Sequence, residues 1–346
     1  MKNEINGVLL FNKPTILSSN IALQKVKRLY NAKKAGHTGT LDPLATGLLP
    51  ICFGEATKFS GFLLNADKEY TATIKLGETT TTYDACGEIV ASANVNVTIN
   101  EIKNVVMSFF GEITQIPPIY SALKVNGKRL YEYARSGEEV AIKSRQISIK
   151  EIEVMEFGAG LSNLSLSSNL SFSSQCESIK IKNLEQQSCS LDYINTSYET
   201  ELESNTDNTF KIRVLCSKGT YIRTLAHDIG CALGCGAHLT ELTRTKTSGF
   251  ALNQSINLDN LSQMSDSERQ NLLLPCDVLV ADLDKLELED SEFAYIQHGR
   301  TLENVYNIPE NKLLRLYYDG NFLGVAEALN HAIRPSRLMN LTLPKL

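Results

Sequence analysis

The stretch Gly36-His37-Thr38-Gly39-Thr40-Leu41-Asp42-Pro43-Leu44-Ala45-Thr46-Gly47 decides how the rest of the chain is read. Its glycines let the backbone approach a ligand closely. Asp42 stands before Pro43, whose ring disfavours a helical conformation for the residue ahead of it. The carboxylate is therefore expected on a turn, from which it can project into a cleft. Taken alone, an Asp-Pro pair is most often a turn with a capping carboxylate. Upstream, residues 5–41 contain no acidic side chain, whereas Lys13, Lys25, Lys27, Arg28, Lys33 and Lys34 all fall there. A charge run by itself is usually a solvated helix face. This one leads into a Gly-rich polar loop, which suits a rim that contacts phosphates.

The 346 residues suffice for one large domain and a small one, and 42% hydrophobic content suits a globular chain. A formal net charge of -5 excludes a generally basic, histone-like protein. It leaves nucleic-acid binding open, because the local field at a cleft matters more than the sum. No apolar run reaches the roughly 18–20 residues of a membrane span. Residues 1–7 are not followed by the apolar core of a signal peptide, so a cytoplasmic location is expected. The eight cysteines are then expected as reduced thiols.

Residues 8–11 read as a strand entering a turn. Ser18 and Ser19 offer an N-cap for an amphipathic helix with Ile21, Leu23, Val26 and Leu29 on its apolar face. Strands are expected at 70–76, 88–90, 147–157 and 210–215, and helices at 99–110 and 221–233, the latter stopped by Gly234 and Gly236. Pro117 and Pro118 precede a basic, Tyr-rich stretch, 119–135. Residues 158–208, rich in Ser, Asn, Gln and Leu, read as an insertion; Leu/Ser alternation over 161–172 suits an edge hairpin. A linking helix is expected over 257–274. From Pro275 short strands return, with a turn at Asp319-Gly320-Asn321. Cys231, Cys235 and His238 have C-x3-C-x2-H spacing, but buried thiols at a helix end read better than zinc.

The first stretch resembles the catalytic loop of the TruB-type tRNA pseudouridine synthases. The resemblance continues through Leu48-Leu49-Pro50-Ile51-Cys52-Phe53-Gly54-Glu55-Ala56-Thr57-Lys58 and recurs at Lys68-Glu69-Tyr70 and Tyr120-Ser121-Ala122-Leu123-Lys124. It recurs again at Lys128-Arg129-Leu130-Tyr131-Glu132-Tyr133-Ala134-Arg135 and Ser217-Lys218-Gly219-Thr220-Tyr221-Ile222-Arg223-Thr224. It covers residues 7–157 and 209–256, fails over the insertion and is weak after 275. It implies an α/β fold with a mixed, largely antiparallel sheet and flanking helices over 1–256. Within that domain it implies an RNA-gripping insertion at 119–145. A small β-rich, PUA-like domain is expected at 275–346.

The resemblance also implies an activity: isomerisation of uridine to pseudouridine at position 55 in the tRNA T-loop, by base flipping and without a cofactor. Asp42 would be the nucleophile, attacking either C1′ of the ribose or C6 of the base. Arg223 would pair with Asp42, and Asp84 would either orient Arg223 or form a turn. Tyr70 and Tyr221 would line the base pocket, with Leu242 as an apolar wall and Tyr70 near the proton that moves. His37 would hold the flipped state by stacking or hydrogen bonding, Lys13 would sit at a strand end beside the pocket, and Lys124, Lys128 and Arg129 would meet phosphates. The partner is the T-arm of tRNA; neither a membrane nor an obligate protein partner is expected. Two rivals remain: a tRNA-binding protein without catalysis, and a synthase directed by guide RNA.

Overall fold

The computed structural model describes residues 2–164 and 207–340. The first half contains β1 (Gly7–Lys13), α1 (Ser19–Leu29), β2 (Ala35–His37), β3 (Thr46–Phe53), α2 (Ser60–Asn65), β4 (Lys68–Leu76), β5 (Glu78–Thr80), β6 (Ile89–Ser92), α3 (Ile99–Ser108) and β7 (Gly111–Gln115). There follow β8 (Lys124–Val125), β9 (Lys128–Arg129), α4 (Leu130–Ser136), β10 (Arg145–Phe157), α5 (Ala159–Leu164), β11 (Thr209–Cys216), α6 (Ile222–Ala232) and β12 (Ala237–Thr247). Two compact units result: Met1–Glu69 with Thr243–Leu346, and Tyr70–Leu242. The chain passes between them along β4 and β12. The boundaries expected at 256 and 275 both lie inside the first unit.

In the first unit β1 runs antiparallel to β3, from Gly7 opposite Phe53 to Lys13 opposite Gly47. β2 adds to β3 antiparallel, and β12 joins it parallel at Thr46 and Gly47. Every residue of β3 after Thr46 is buried, so the strand reads as an apolar run without alternation. Helix α1 begins where expected: the Ser18 hydroxyl accepts from the Ile21 N–H. Ala22, Leu23 and Val26 face the core, but Ile21, expected inward, is about half exposed. The single helix expected over 257–274 is two short ones, α7 (Leu258–Gln263) and α8 (Asp266–Asn271). Met264 is extended between them, and Ser265 restarts the helix through a capping box with Glu268.

The end of this unit is a five-stranded sheet, including 313–318, 321–329 and 332–338, with its own core of Leu286, Phe293, Ile296, Leu316 and Ile333. A second core joins Val8, Leu10, Leu48, Cys52 and Phe59 to Cys276, Leu279, Val280 and Val325, so the sheet packs on the first strands. Asp319 and Gly320 both have positive φ (49° and 69°), the signature of a tight hairpin turn.

The second unit has strand order β12-β4-β11-β10-β7, with β11 and β7 antiparallel to β10. Alternation along β11 is strict: Phe210, Ile212, Val214 and Cys216 are buried. Outward-facing Lys211 and Arg213 pair with Glu156, Glu151 and Glu153 of β10. Helices α3 and α6 supply Ile102, Val106, Ile222, Leu225, Ala226 and Ile229 to the buried set. Phe157 and Phe210 are register partners, and Gly158 N–H donates to Thr209 O at 2.7 Å. The hairpin expected over 161–172 begins instead as α5, and its remainder, like most of 158–208, lies outside the described residues.

Candidate active site

In the first unit, residues 38–45 run between β2 and β3 and carry Asp42, half-buried. Four anchors define their path. The Ser19 hydroxyl accepts from Leu41 N–H at 2.7 Å and donates to Leu41 O at 2.9 Å. Ile16 N–H donates to Pro43 O at 2.8 Å, and the Thr15 hydroxyl to Leu44 O at 3.2 Å. Ala45 N–H closes the turn onto Asp42 O at 3.1 Å. Arg244, only 1% exposed, donates from Nε to Leu48 O at 2.7 Å and from Nη2 to Gly39 O at 3.3 Å. Its planar fork thus spans the Asp42 loop from one side to the other.

Lys13 is fully enclosed at the end of β1, its ammonium donating to Pro14 O at 2.8 Å and Leu17 O at 2.6 Å. Burial pushes its pKa down to about 8; Asp42 opposes that fall and the Arg244 charge adds to it. Lys13 therefore offers no surface to a phosphate; its charge faces the Asp42 loop from within. Burial, reinforced by Arg244, also holds the His37 imidazole below its usual range, so the ring is neutral near pH 7. Its Nδ1 is buried without a hydrogen-bond partner among the described residues. Such an atom is costly unless something else meets it. Lys68 is buried and caps the carbonyls of Leu63, Leu64 and Ala66 at the end of α2. Buried Glu69 accepts from Thr245 and Lys246.

In the second unit Tyr70 and Leu242 are buried, at 9% and 7% exposure. Arg223, in the first turn of α6, is 4% exposed. Its Nη1 donates to Thr82 O at 3.1 Å, its Nη2 to Tyr120 O at 3.0 Å, and its Nε lies 3.5 Å from Asp84 Oδ2. Asp84 does both jobs weighed for it. While Oδ2 faces Arg223, Oδ1 accepts from the Thr82 hydroxyl at 2.7 Å and Cys86 N–H at 3.0 Å, forming the turn. One helical turn after Arg223, His227 stacks on Tyr83 with ring centroids 4.0 Å apart. Helix α6 therefore grips the 82–84 turn at two points, with side chains that share a face. Tyr221 is half-buried; its backbone N–H and C=O both bond the Gln115 amide, and the Arg145 guanidinium lies 5.7 Å from its ring.

The basic segment forms a two-stranded hairpin followed by α4. Lys124 and Arg129 stand directly opposite each other in the hairpin, both exposed. Like charges in that register repel, and the Arg129 guanidinium turns to the Tyr131 hydroxyl at 3.1 Å. Lys128 is engaged by Glu138 at 2.7 Å and lies over the Tyr133 ring. The residues with C-x3-C-x2-H spacing go separate ways: Cys231 meets His227 at 3.6 Å, and His238 bonds Glu78 O at 3.1 Å.

Arg244, Tyr83 and His227 carry much of this geometry and were not singled out from the sequence; Ser19 reads there as a helix-cap candidate, and its hydroxyl instead holds Leu41. Arg244 stands two residues after Leu242, but an arginine there reads as a surface charge until its strand is seen to be buried.

Comparison with known proteins identifies the family. The TruB family pseudouridylate synthase N-terminal domain matches residues 27–179. The tRNA pseudouridylate synthase B C-terminal domain matches 223–281, and the pseudouridine synthase II TruB C-terminal domain matches 285–339. The tRNA pseudouridine synthase B of Neisseria meningitidis serogroup A is 43% identical over 342 residues, 98% of this chain and 96% of that protein. That of Azoarcus sp. is 44% identical over 337 residues, 97% of this chain and 95% of that protein. Among solved structures, a Cbf5-Nop10-Gar1 complex is similar in fold, with TM-score 0.64 and 24% identity over 96% of this chain and 84% of that one. Within the described residues no helix is long and apolar enough to cross a membrane. The chain belongs to the TruB family and is a pseudouridine synthase, an isomerase that converts uridine in tRNA to pseudouridine.

Proposed function

We propose that the target is uridine 55 in the T-loop of tRNA, flipped out of its stack, and that Asp42 is the nucleophile. The observation that carries this reading is the bracing of the Asp42 loop by Arg244 and Ser19, with Ile16 and Thr15 bonding its later carbonyls. A turn that only linked two strands would need no buried guanidinium. A carboxylate that must form and then release a covalent bond needs a fixed direction of approach.

Bond changes follow from the product. The N1–C1′ bond breaks, the freed base turns, C5 bonds to C1′, the hydrogen on C5 leaves as a proton, and N1 takes up a proton in exchange, so the product is an isomer of the substrate. Nothing is oxidised or reduced, so no cofactor is required. Tyr70 is assigned to the base and to assistance with that proton. Arg223 is assigned the electrostatic support of the reaction, with Asp84 as its orienting partner. Tyr221 and Leu242 contribute apolar surface to the base. Neutral His37, with its open Nδ1, is suited to hydrogen-bond the displaced nucleotide or its vacated position. Lys124 and Arg129 meet phosphates, and Lys128 does so by exchanging Glu138 for one. The T-arm is the partner, the enzyme acts without an obligate protein, and its setting is the cytoplasm.

The test is a T-arm stem-loop carrying tritium at C5 of the target uridine, incubated with the protein alone. One tritium should appear in water for each pseudouridine formed. Asp42→Asn should abolish both signals while tRNA binding stays within a few-fold, because phosphate contacts dominate affinity. Turnover near wild type in that variant removes Asp42 from the mechanism. Tight binding with neither signal in the wild type favours a non-catalytic tRNA-binding protein.

A further inference from the structure

Two extremes coincide in one residue. Among the described residues, Ile16 is the only β-branched side chain with positive φ, at 72°; the other non-glycine cases are Asn, Asp, Ser, His and Tyr. It is also the most exposed of the large hydrophobics, at 82%. A branched Cβ in the left-handed region is disfavoured sterically, and an exposed apolar side chain gives nothing back to the fold. The conformation is nonetheless tied down from several sides. Lys13 Nζ grips the carbonyls of Pro14 and Leu17 on either side of it, at 2.8 and 2.6 Å. Its own N–H reaches Pro43 O at 2.8 Å, one residue beyond Asp42. The turn is therefore built to hold an apolar tip outward, next to the residue assigned as nucleophile.

We infer that Ile16 is a substrate-contacting residue: its side chain packs against a base or ribose of the tRNA beside the uridine being isomerised. The occupant follows from what surrounds it. The substrate class is RNA, and the helix that follows carries Lys25, Lys27 and Arg28 without an acidic residue. Ile21 on that helix adds a second exposed apolar group. Nucleotides displaced from a stack expose flat apolar faces, and aliphatic wedges are a common way to cover them. The inference rests on the reading of the Asp42 loop as the place where the uridine reacts.

The test sets stability against binding. Ile16→Gly relieves the backbone and should raise Tm by a few degrees. The same change should weaken T-arm binding by roughly tenfold, the worth of a partly buried aliphatic side chain. Ile16→Leu, which keeps the apolar tip, should bind within about twofold of wild type. The chain contains no tryptophan, so Ile16→Trp gives a single fluorophore whose emission should be quenched by T-arm RNA. An Ile16→Gly variant that is more stable and binds RNA as tightly as wild type overturns the inference. So does Ile16→Trp emission that saturating RNA leaves unmoved. Failure of the wild type to form pseudouridine at position 55 would instead undo the functional reading, and is seen in a separate lane.

Discussion

Replacing Arg244 by lysine keeps the charge and removes the fork. In the native protein Nε reaches Leu48 O at 2.7 Å and Nη2 reaches Gly39 O at 3.3 Å, all with 1% exposure. An ammonium on a shorter stem lacks the planar fork that aims one N–H at each carbonyl, so the pair of bonds is weakened or lost. Losing a hydrogen bond from a charged donor costs about 1.5–3 kcal/mol, and stranding a buried carbonyl about 1–3 kcal/mol. The two overlap, so about 3 kcal/mol is a fair total. Taken entirely from transition-state binding, that is roughly a hundredfold in rate; taken entirely from global stability, it is roughly 4 °C in Tm for a chain of 346 residues. Gly39 lies on the Asp42 loop itself, so most of the loss is expected in turnover. Arg244→Lys should slow single-turnover pseudouridine formation by about ten- to a hundredfold while Tm falls by less than about 2 °C. The assay is quench-flow on an unmodified T-arm transcript, with differential scanning fluorimetry beside it. A variant within twofold of wild type in rate and unchanged in Tm would refute the claim that Arg244 braces the loop.

Three further outcomes follow from the same geometry. The Lys13 pKa is lowered in the folded state to about 8 from about 10.5, so the unfolded chain binds more protons between those values and stability rises with pH across that window. Activity should do the opposite, falling above about pH 8 as the ammonium that grips Pro14 and Leu17 is lost; a pH–rate profile whose alkaline limb is unaltered in Lys13→Arg would contradict this. His227→Ala should lower kcat by about tenfold with KM unchanged, because the Tyr83 stack steadies the turn that holds Arg223, and His227→Phe should restore it; loss in KM alone would remove His227 from that role. Replacing residues 162–206 by a short Gly/Ser linker should leave Tm and turnover near wild type, since Phe157 and Phe210 already pair at its base; a folded deletion variant that no longer binds tRNA would show that the segment is part of the substrate surface.

What the sequence disclosed followed local chemistry. Ser18 as an N-cap, the alternation along 210–215 and the Asp-Gly-Asn turn at 319–321 are short-range signals, and each appears in the structure. Features that depend on distant partners were hidden. β3 offers neither a 2- nor a 3.6-residue period and contains Pro50, because both its faces are covered. β12 places buried His238, Leu242 and Arg244 among exposed Glu241 and Lys246, a pattern that periodicity scores as polar. Ile21 has the spacing of a core residue, yet the core ends before it. At the site, Asp42 and Arg223 lie in quoted motifs. Their supports, Ser19, Thr82 and Tyr120, act through hydroxyl or backbone oxygen groups that residue identity does not reveal.

The grip of Arg244 on Gly39 and Leu48 spans 205 and 196 residues of chain. Synthesis proceeds N-terminal first at about 5–20 residues per second, so roughly 10–40 s separate the emergence of the Asp42 loop from that of its brace. During that interval the nascent chain carries Asp42 without the guanidinium that braces its loop. The enzyme therefore matures late, after strand 237–247 has left the ribosome, and a truncated translation product ending before residue 244 would contain Asp42 yet lack an ordered loop.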